Sequence, residues 1–236
     1  MSNPFFRFKH FTVWHDKCAM KVGTDGVLLG AWANGGGRIL DVGTGSGLIA
    51  IMMAQRFANA KVMAIDIDGS ACSQAVENVA MSPFHSQIEV KCIALQEMAL
   101  DADAAQYYDA VVCNPPFFEN ALKTPDKART VARHNDQLPF SQLFDSVKKV
   151  ITVSGTFSLI IPAEYKERIM EEAAIHCFFN TKECAVKTTP KKQIRRFLLE
   201  FSLSPANSFA KEVQILEMEP GRRSTWYHDI TQDFYL

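Results

Sequence analysis

The sequence lacks the features that mark disulfide-rich, metal-binding and membrane proteins. Its six cysteines form no Cys-x-x-Cys pair, and several lie in apolar strand or helix patterns, so we expect reduced, buried thiols in a cytosolic protein. No apolar run approaches the ~20 residues of a membrane span. The first ten residues do not resemble a signal peptide. We therefore expect a cytoplasmic protein with no membrane contact and no metal.

Excess charge of one sign is also missing. With 25 Lys and Arg against 26 Asp and Glu, the formal net charge is −1, so the whole chain does not attract nucleic acid. The most basic window is 181–196, which contains six Lys or Arg and one Glu. Any attraction to a nucleic acid would have to come from such local patches.

The 236 residues, 47% of them hydrophobic, are enough for one large domain with a sizeable core. Apolar runs typical of strands alternate with helical patterns, which predicts an α/β fold with one open, mostly parallel sheet and helices on both faces. The predicted strands are 38–42, 61–65, 88–92, 108–113, 155–161, 181–188 and 196–203, with a further strand near 211–217. The predicted helices include 48–56, 140–150 and 163–177, with one beginning near Gly69 and a short one near Ser224.

The first 33 residues are predicted to be an extension packed on this core. Residues 5–21 alternate aromatic with basic or polar side chains, which indicates strands or a hairpin. Lys9 and Lys17 are solvated in the simplest interpretation, or they meet a phosphate backbone. Thr24 or Asp25 is a suitable N-cap for the apolar helix that follows, and a helix N-terminus attracts carboxylates.

A glycine turn, Gly43-Thr44-Gly45-Ser46-Gly47, connects a predicted strand to a predicted helix, as in nucleotide-binding units. A dinucleotide fingerprint needs glycine at position 48, which is Leu. Asp41, so close to the turn, would repel a pyrophosphate and favour a cationic ligand group. Asp66 ends the second strand, where an acid is well placed to accept hydrogen bonds from ribose hydroxyls.

Another polar motif, Asn114-Pro115-Pro116-Phe117, follows the strand 108–113. The prolines stiffen the backbone, Asn114 adds a side-chain carbonyl, and Phe117 adds a flat apolar face. Two acceptors beside a ring suit a planar group that bears an exocyclic NH₂. A simple proline-rich loop remains the alternative interpretation.

Together these motifs resemble the amino-methyltransferases that use S-adenosyl-L-methionine. Further similarity runs nearly end to end, through Phe8-Lys9-x-Phe11, Met20 to Gly26, Leu28 to Trp32 and the closing Phe234-Tyr235-Leu236. On these residues the chain is similar to the bacterial tRNA1(Val) adenine N6-methyltransferase family. The resemblance implies a Rossmann-like class I methyltransferase fold, with a seven-stranded sheet that has a terminal antiparallel hairpin, in one domain of residues 1–236. It also implies S-adenosyl-L-methionine as cofactor and tRNA as partner, with adenine 37, next to the anticodon, as the target.

The resemblance, with the motifs above, suggests three sets of site residues. The expected catalytic residues are Asn114, Pro115, Pro116 and Phe117. The expected cofactor-binding residues are Lys21, Thr24, Asp41, Gly43, Thr44, Gly45, Gly47, Asp66, Ile67, Gln96 and Asn114. The expected RNA-binding residues are Lys9, Lys17, Arg129, Arg133, Lys191, Lys192, Arg195 and Arg196. One position departs from the family, because Ala94 stands where an Asp usually accepts from the adenine amine, and Gln96 is the candidate substitute.

Three alternatives are left open by the sequence. A protein-glutamine N5-methyltransferase shares the Asn-Pro-Pro-aromatic motif, because a side-chain amide also presents NH₂. Those enzymes carry an N-terminal helical domain, whereas here the sheet begins by residue 38. An rRNA amino-methyltransferase is the second alternative. A non-catalytic RNA-binding module is the third, and the intact motif residues disfavour it.

Overall fold

The computed structural model describes residues 3–18, 20–115, 138–206, 208–219 and 221–236. Strands and helices alternate through its centre, as the sequence predicts. The strands are β1 Phe5–Arg7, β2 Thr12–Trp14, β3 Arg38–Val42, β4 Lys61–Asp66, β5 Ile88–Cys92, β6 Tyr108–Cys113, β7 Ile151–Pro162, β8 Phe179–Lys187, β9 Ile194–Ser202, β10 Ala210–Ile215, β11 Glu217–Glu219 and β12 Arg222–Arg223. The α-helices are α1 Thr24–Trp32, α2 Leu48–Arg56, α3 Gly69–Met81, α4 Leu95–Met98, α5 Phe140–Val150, α6 Lys166–Ile175 and α7 Thr225–Thr231.

The central sheet has the strand order β10-β8-β9-β7-β6-β3-β4-β5. Strand β9 is antiparallel to both of its neighbours, and the other pairs are parallel. This is the mostly parallel sheet that the sequence predicts, with one difference. Within the described residues the sheet has eight strands rather than seven, because β10 pairs in parallel with β8 and covers the outer side of the β8–β9 hairpin.

Helices cover both faces of the sheet and bury two apolar clusters. Successive strand side chains point to opposite faces, so Ile39 belongs to one cluster and Leu40 to the other. The first cluster packs under α1, α2 and the β1–β2 hairpin, and the second under α5 and α6. Strands buried on both faces in this way explain the continuous apolar runs of the sequence.

Helices α1 and α2 approach each other closely at a glycine. A Cβ atom added to Gly30 would lie 2.9 Å from the Sδ atom of Met52. Helix α1 begins at Thr24, with Gly23 at the capping position and no side-chain capping bond. The prediction that Thr24 or Asp25 caps this helix is therefore wrong: both residues lie inside its first turn, where the side chain of Asp25 takes another partner.

The N-terminal hairpin is confirmed, with Phe5 paired to Trp14 across β1 and β2. The ring of Phe8 stacks on Phe11 at 4.7 Å between centroids and also on Tyr235 at 5.9 Å. The backbone N–H of Lys9 donates to the carbonyl oxygen of Phe234 at 2.8 Å. The aromatic alternation of the first segment therefore places it against residues from the other end of the sequence.

All six cysteines are free. Cys72, Cys113 and Cys184 are buried, whereas Cys92 and Cys177 are exposed, so the prediction of buried thiols is wrong for those two. Among the described residues no helix is long and apolar enough to cross a membrane.

Candidate active site

A cavity of about 1030 Å³ lies where the parallel strands β3, β4, β5 and β6 end. Ligands of open α/β sheets bind at this edge, where successive loops converge. The structure brings together most of the residues that the sequence singled out. Those that line the cavity are Lys21, Thr24, Gly43, Thr44, Gly45, Asp66, Ile67, Gln96, Asn114, Pro115, Arg195 and Arg196.

The glycine turn after β3 forms one wall. Its glycines have φ values of 69° at Gly43, 55° at Gly45 and 81° at Gly47, in the left-handed region that other L-residues rarely adopt. The backbone N–H groups of Gly43 and Thr44 both donate to the carbonyl oxygen of Ile65 at 2.9 Å, which fixes the turn to β4. A Cβ atom at Gly43 or Gly45 would meet nothing within 4 Å, so conformation rather than crowding selects glycine there.

Asp41 lies behind this turn and not in the cavity. Its Oδ2 atom accepts from the Thr44 hydroxyl at 2.6 Å and from the backbone N–H of Ala50 at 3.1 Å. The side chain is fully buried, and its Oδ1 atom has no partner among the described residues. Burial raises the pKa of Asp41 to about 7. This position differs from the expected direct contact with a cationic ligand group, because the carboxyl shapes the turn from behind.

Asp66 reaches the cavity from the end of β4. Its Oδ2 atom accepts from the backbone N–H of Gly45 at 2.9 Å, and its Oδ1 atom accepts from that of Asp68 at 3.0 Å. Each carboxylate oxygen retains capacity for a second hydrogen bond. Next to it, the side chain of Ile67 is 58% exposed although it is apolar, and it lines the cavity. An acceptor beside an exposed apolar side chain suits the ribose and base of a nucleoside.

Gln96 and Ala94 line the cavity on the side of β5. The Nε2 atom of Gln96 donates to the Oε1 atom of Gln142 in α5 at 3.0 Å. This bond uses the amide nitrogen of Gln96 and leaves its carbonyl oxygen available as an acceptor. The arrangement is compatible with the role that the sequence suggests for Gln96 beside Ala94.

Asn114 and Pro115 directly follow β6, at the centre of the strand order and beside the glycine turn that follows β3. Pro115 is buried and Asn114 is half-buried. Strand β6 pairs with β3 on one side and with β7 on the other. Pro116 and Phe117 lie outside the described residues, and so do Arg129 and Arg133.

The N-terminal segment, residues 3–18 and 20–26, closes one side of the cavity with Lys21 and Thr24. The buried side chain of Asn78 in α3 ties this segment to the turn, because its Nδ2 atom donates to the carbonyl oxygens of both Trp14 and Ser46 at 2.8 Å. Sequence reasoning missed Asn78. Its position within an amphipathic helix gave no sign that it faces two distant backbone segments.

The other basic residues have varied surroundings. The Nζ atom of Lys17 pairs with Glu77 at 2.6 Å, and that of Lys9 donates to the carbonyl oxygen of Gln232 at 2.6 Å. Lys191 and Lys192 are exposed in the connection between β8 and β9. Arg196, in contrast, faces the cavity and pairs with Asp25, which the sequence had suggested only as a helix cap.

A glycine turn, an acid after the next strand and an Asn-Pro at the central strand end, all around one cavity, define a methyltransferase of the Rossmann-like class. Comparison with known proteins agrees. The methyltransferase small domain family matches residues 20–139. A solved structure described as a predicted O-methyltransferase from Agrobacterium tumefaciens has a similar fold, with a TM-score of 0.65 at 19% identity, over 89% of this chain and 96% of that one.

Two curated relatives are similar over their whole length. The chain is 46% identical over 238 residues to the tRNA1(Val) (adenine(37)-N6)-methyltransferase of Parabacteroides distasonis and 44% identical over 241 residues to that of Bacteroides fragilis. Each alignment covers 100% of this chain and 99% of the relative. The chain belongs to the methyltransferase small domain family and, within it, to the tRNA1(Val) (adenine(37)-N6)-methyltransferase family. The family and fold class predicted from the sequence are confirmed.

Proposed function

We propose that this protein transfers a methyl group from S-adenosyl-L-methionine to the N6 atom of an adenosine in tRNA, namely adenine 37 of tRNA1(Val). The observation that carries the proposal is that Asn114 and Pro115 share one cavity with the glycine turn and Asp66. The substrate is inferred from the two relatives named above, which are similar to this chain over its full length.

The residues of the cavity fit this cofactor. The turn 43–47 contains no basic side chain, and Asp66 is hydrogen-bonded to it, so the wall suits a nucleoside without phosphates. Asp66 would hold the ribose hydroxyls, Ile67 would pack on the adenine, and the carbonyl of Gln96 would accept from the adenine amine. Gly43, Thr44 and Gly45 line the cavity and would hold the methionine portion. Gly47 does not line it, and its N–H donates to the carbonyl oxygen of Thr44, so it would keep the turn in shape.

Lys21 and Thr24 would hold the carboxylate of the methionine portion. Thr24 begins α1, where backbone N–H groups and the positive end of the helix attract anions. Both residues line the cavity, and Lys21 adds a cationic side chain. When bound, the cofactor supplies an electrophilic methyl group on a sulfonium centre.

Asn114 and Pro115 would orient the adenine amine. The Oδ1 atom of Asn114 and the carbonyl oxygen of Pro115 accept its two hydrogens, which helps to localise the nitrogen lone pair toward the methyl group. Holding both reactants along one axis is the main requirement of such a displacement. The methylated amine loses its proton readily, so the site needs no strong general base.

The cavity is large enough to hold the target base of the RNA beside the cofactor. Ligand pockets in proteins are usually about 300–1,000 Å³, and this one has about 1030 Å³. A base must leave its stack to enter it, and a base in an anticodon loop is already outside a duplex. We propose Lys191, Lys192, Arg195 and Arg196 as the residues that attract the RNA. Lys9 and Lys17 are weaker candidates, because their Nζ atoms already contact Gln232 and Glu77. Arg129 and Arg133 lie outside the described residues and remain predictions from the sequence.

The test is a methylation assay with unmodified tRNA1(Val) and cofactor labelled in the methyl group. We expect label in tRNA, N6-methyladenosine after digestion, and loss of labelling when adenosine 37 is replaced by guanosine. Matched reactions contain rRNA or a peptide-release factor as acceptor. Label in rRNA or on a glutamine side chain, with none in tRNA, would overturn the proposal.

A further inference from the structure

Asn114 divides the cavity into two halves, because β6 lies in the middle of the strand order. The residues proposed to hold the ribose and the adenine, Asp66, Ile67 and Gln96, and the glycine turn follow β3, β4 and β5 on one side, whereas Lys21 and Thr24 adjoin Asp25. The opposite half lies over β7, β9 and β8, and we call it the substrate half. Its wall contains Asp25, Val186, Thr188, Arg195, Arg196 and Leu216.

The guanidinium of Arg196 is fixed in orientation within this wall. Its Nε atom donates to the Oδ2 atom of Asp25 at 2.8 Å, and its Nη1 atom donates to the carbonyl oxygen of Arg195 at 3.0 Å. The Nη2 atom has no hydrogen-bond partner within the described part of the chain. The side chains of Asp25 and Arg196 are 34% and 35% exposed, so solvent or a ligand reaches the free edge of the guanidinium.

The sheet register gives the separation between Arg196 and Asn114. Cys113 pairs with Leu159 in β7, and Pro162, three residues further along β7, pairs with Arg196 in β9. The backbone of Arg196 is thus two strand spacings from Asn114, about 10 Å, and two residues further along the strand direction, about 7 Å. One nucleotide, from its base edge to its phosphate, together with a long Arg side chain can span a gap of this size.

We propose that Arg196, oriented by Asp25, binds a phosphate that flanks the target adenosine when the base lies at Asn114. A planar guanidinium matches the oxygens of a phosphate, and a carboxylate that already holds one edge reduces the ordering cost of binding. Asp25 is then a positioning residue and Arg196 a substrate-binding residue. This inference rests on the proposed function, since it needs a nucleic acid substrate.

A purely structural role is the competing explanation. The pair joins α1 to β9 across 171 residues of sequence, so it also ties the two walls of the substrate half together. An ion pair of this exposure contributes little to stability. The experiment therefore has to separate substrate binding from folding.

The first measurement compares steady-state methylation by the wild type, Arg196→Gln and Asp25→Asn. We expect the KM for tRNA to rise roughly tenfold or more in Arg196→Gln and by a smaller factor in Asp25→Asn, with cofactor Kd and Tm unchanged. Arg196→Lys, which keeps the charge, should recover part of the loss. The control is Lys149→Gln, which breaks an ion pair of the same 2.8 Å length at the opposite edge of the sheet.

The second measurement replaces the phosphate. tRNA assembled from synthetic fragments carries a neutral methylphosphonate linkage on the 5′ or 3′ side of the target adenosine. At one of these positions the neutral linkage should raise the KM of the wild type but leave that of Arg196→Gln nearly unchanged. Equal penalties in both proteins at both positions would overturn the inference, as would a wild-type KM in Arg196→Gln. A wild type that methylates no tRNA would instead overturn the proposed function.

Discussion

Asn78 and Trp14 exchange two hydrogen bonds. The Nδ2 atom of Asn78 donates to the carbonyl oxygen of Trp14 at 2.8 Å, and the backbone N–H of Trp14 donates back to the Oδ1 atom of Asn78 at 2.9 Å. The same Nδ2 atom donates to the carbonyl oxygen of Ser46 inside the glycine turn. One buried amide therefore connects the N-terminal hairpin, helix α3 and a wall of the cavity.

Asn78→Ala should lower the free energy of unfolding by about 1–3 kcal/mol, because it leaves buried backbone groups without partners. Cofactor affinity should fall as well, since the turn loses a contact at Ser46. Chemical denaturation and calorimetric titration measure the two effects. Asn34→Ala, an exposed loop change, is the control. Unchanged stability in Asn78→Ala would show that water replaces the amide without cost.

Asp41→Asn should change how stability depends on pH. Burial raises the pKa of Asp41 from 3.8 to about 7, so the folded state binds this proton more tightly than the unfolded state. The wild type therefore loses stability from this group as pH rises from about 4 to about 7. Asn keeps an acceptor for Thr44 and Ala50 and has no charge to bury.

Urea unfolding of both proteins between pH 4 and pH 8 tests this. The stability of Asp41→Asn relative to the wild type should increase up to about pH 7 and level off from there to pH 8. Parallel curves would show that Asp41 is already ionised in the folded protein at pH 5. Asp41→Ala, which removes the acceptor as well, should be less stable than Asp41→Asn at every pH.

Asn114→Ala should reduce kcat far more than it weakens cofactor binding. Asn114 directly follows β6, and the proposed contacts of its side chain are made to the amine that reacts. Single-turnover methylation measures the first quantity and calorimetric titration the second. If Asn114→Ala methylates tRNA at the wild-type rate, the Asn-Pro motif serves only as a loop.

Asp66→Ala should lose about 1–3 kcal/mol of cofactor binding, the range for hydrogen bonds to a charged group. Asp101→Ala is the matched control, because Asp101 accepts from the backbone N–H of Asp103, also two residues further on, and does not line the cavity. Its loss should lower stability and leave cofactor affinity nearly unchanged. Equal affinity in folded Asp66→Ala and wild type would remove the ribose assignment.

The double variant Lys191→Gln and Lys192→Gln should bind tRNA more weakly and with a flatter salt dependence. The slope of log affinity against log salt should change by roughly 0.7–0.9 for each lost phosphate contact. Exposed Lys61 and Lys148, at the other edge of the sheet, provide a matched control pair. Parental affinity and slope would show that the RNA docks elsewhere.

Local patterns were enough to predict most elements. The bounds of α2, β5, β6 and α5 agree with the sequence, because apolar periods and glycine, proline or polar breaks mark them locally. The cap of α3 is equally local, since the side chain of Asp68 accepts from the backbone N–H of Ser70 two residues away.

Long-range relationships could not be predicted in this way. Nothing in 210–215 indicates that β10 pairs with β8, because pairing depends on distant residues. The ion pair of Asp25 with Arg196 and the burial of Asp41 behind its turn also need the folded chain. The motif residues could be found from the sequence because the ends of parallel strands gather at one edge of the sheet. How deeply each of their side chains is buried could not be predicted.

The contact of Phe8 with Tyr235 and of Lys9 with Phe234 has a consequence for the order of folding. Sequence separations this long make the docking of the hairpin a late event. The segment that closes the cavity follows that hairpin directly. A nascent chain that still lacks residues 225–236 should therefore hold an assembled sheet with an open cavity, and limited proteolysis of stalled chains would show cleavage near residue 20 until those residues emerge.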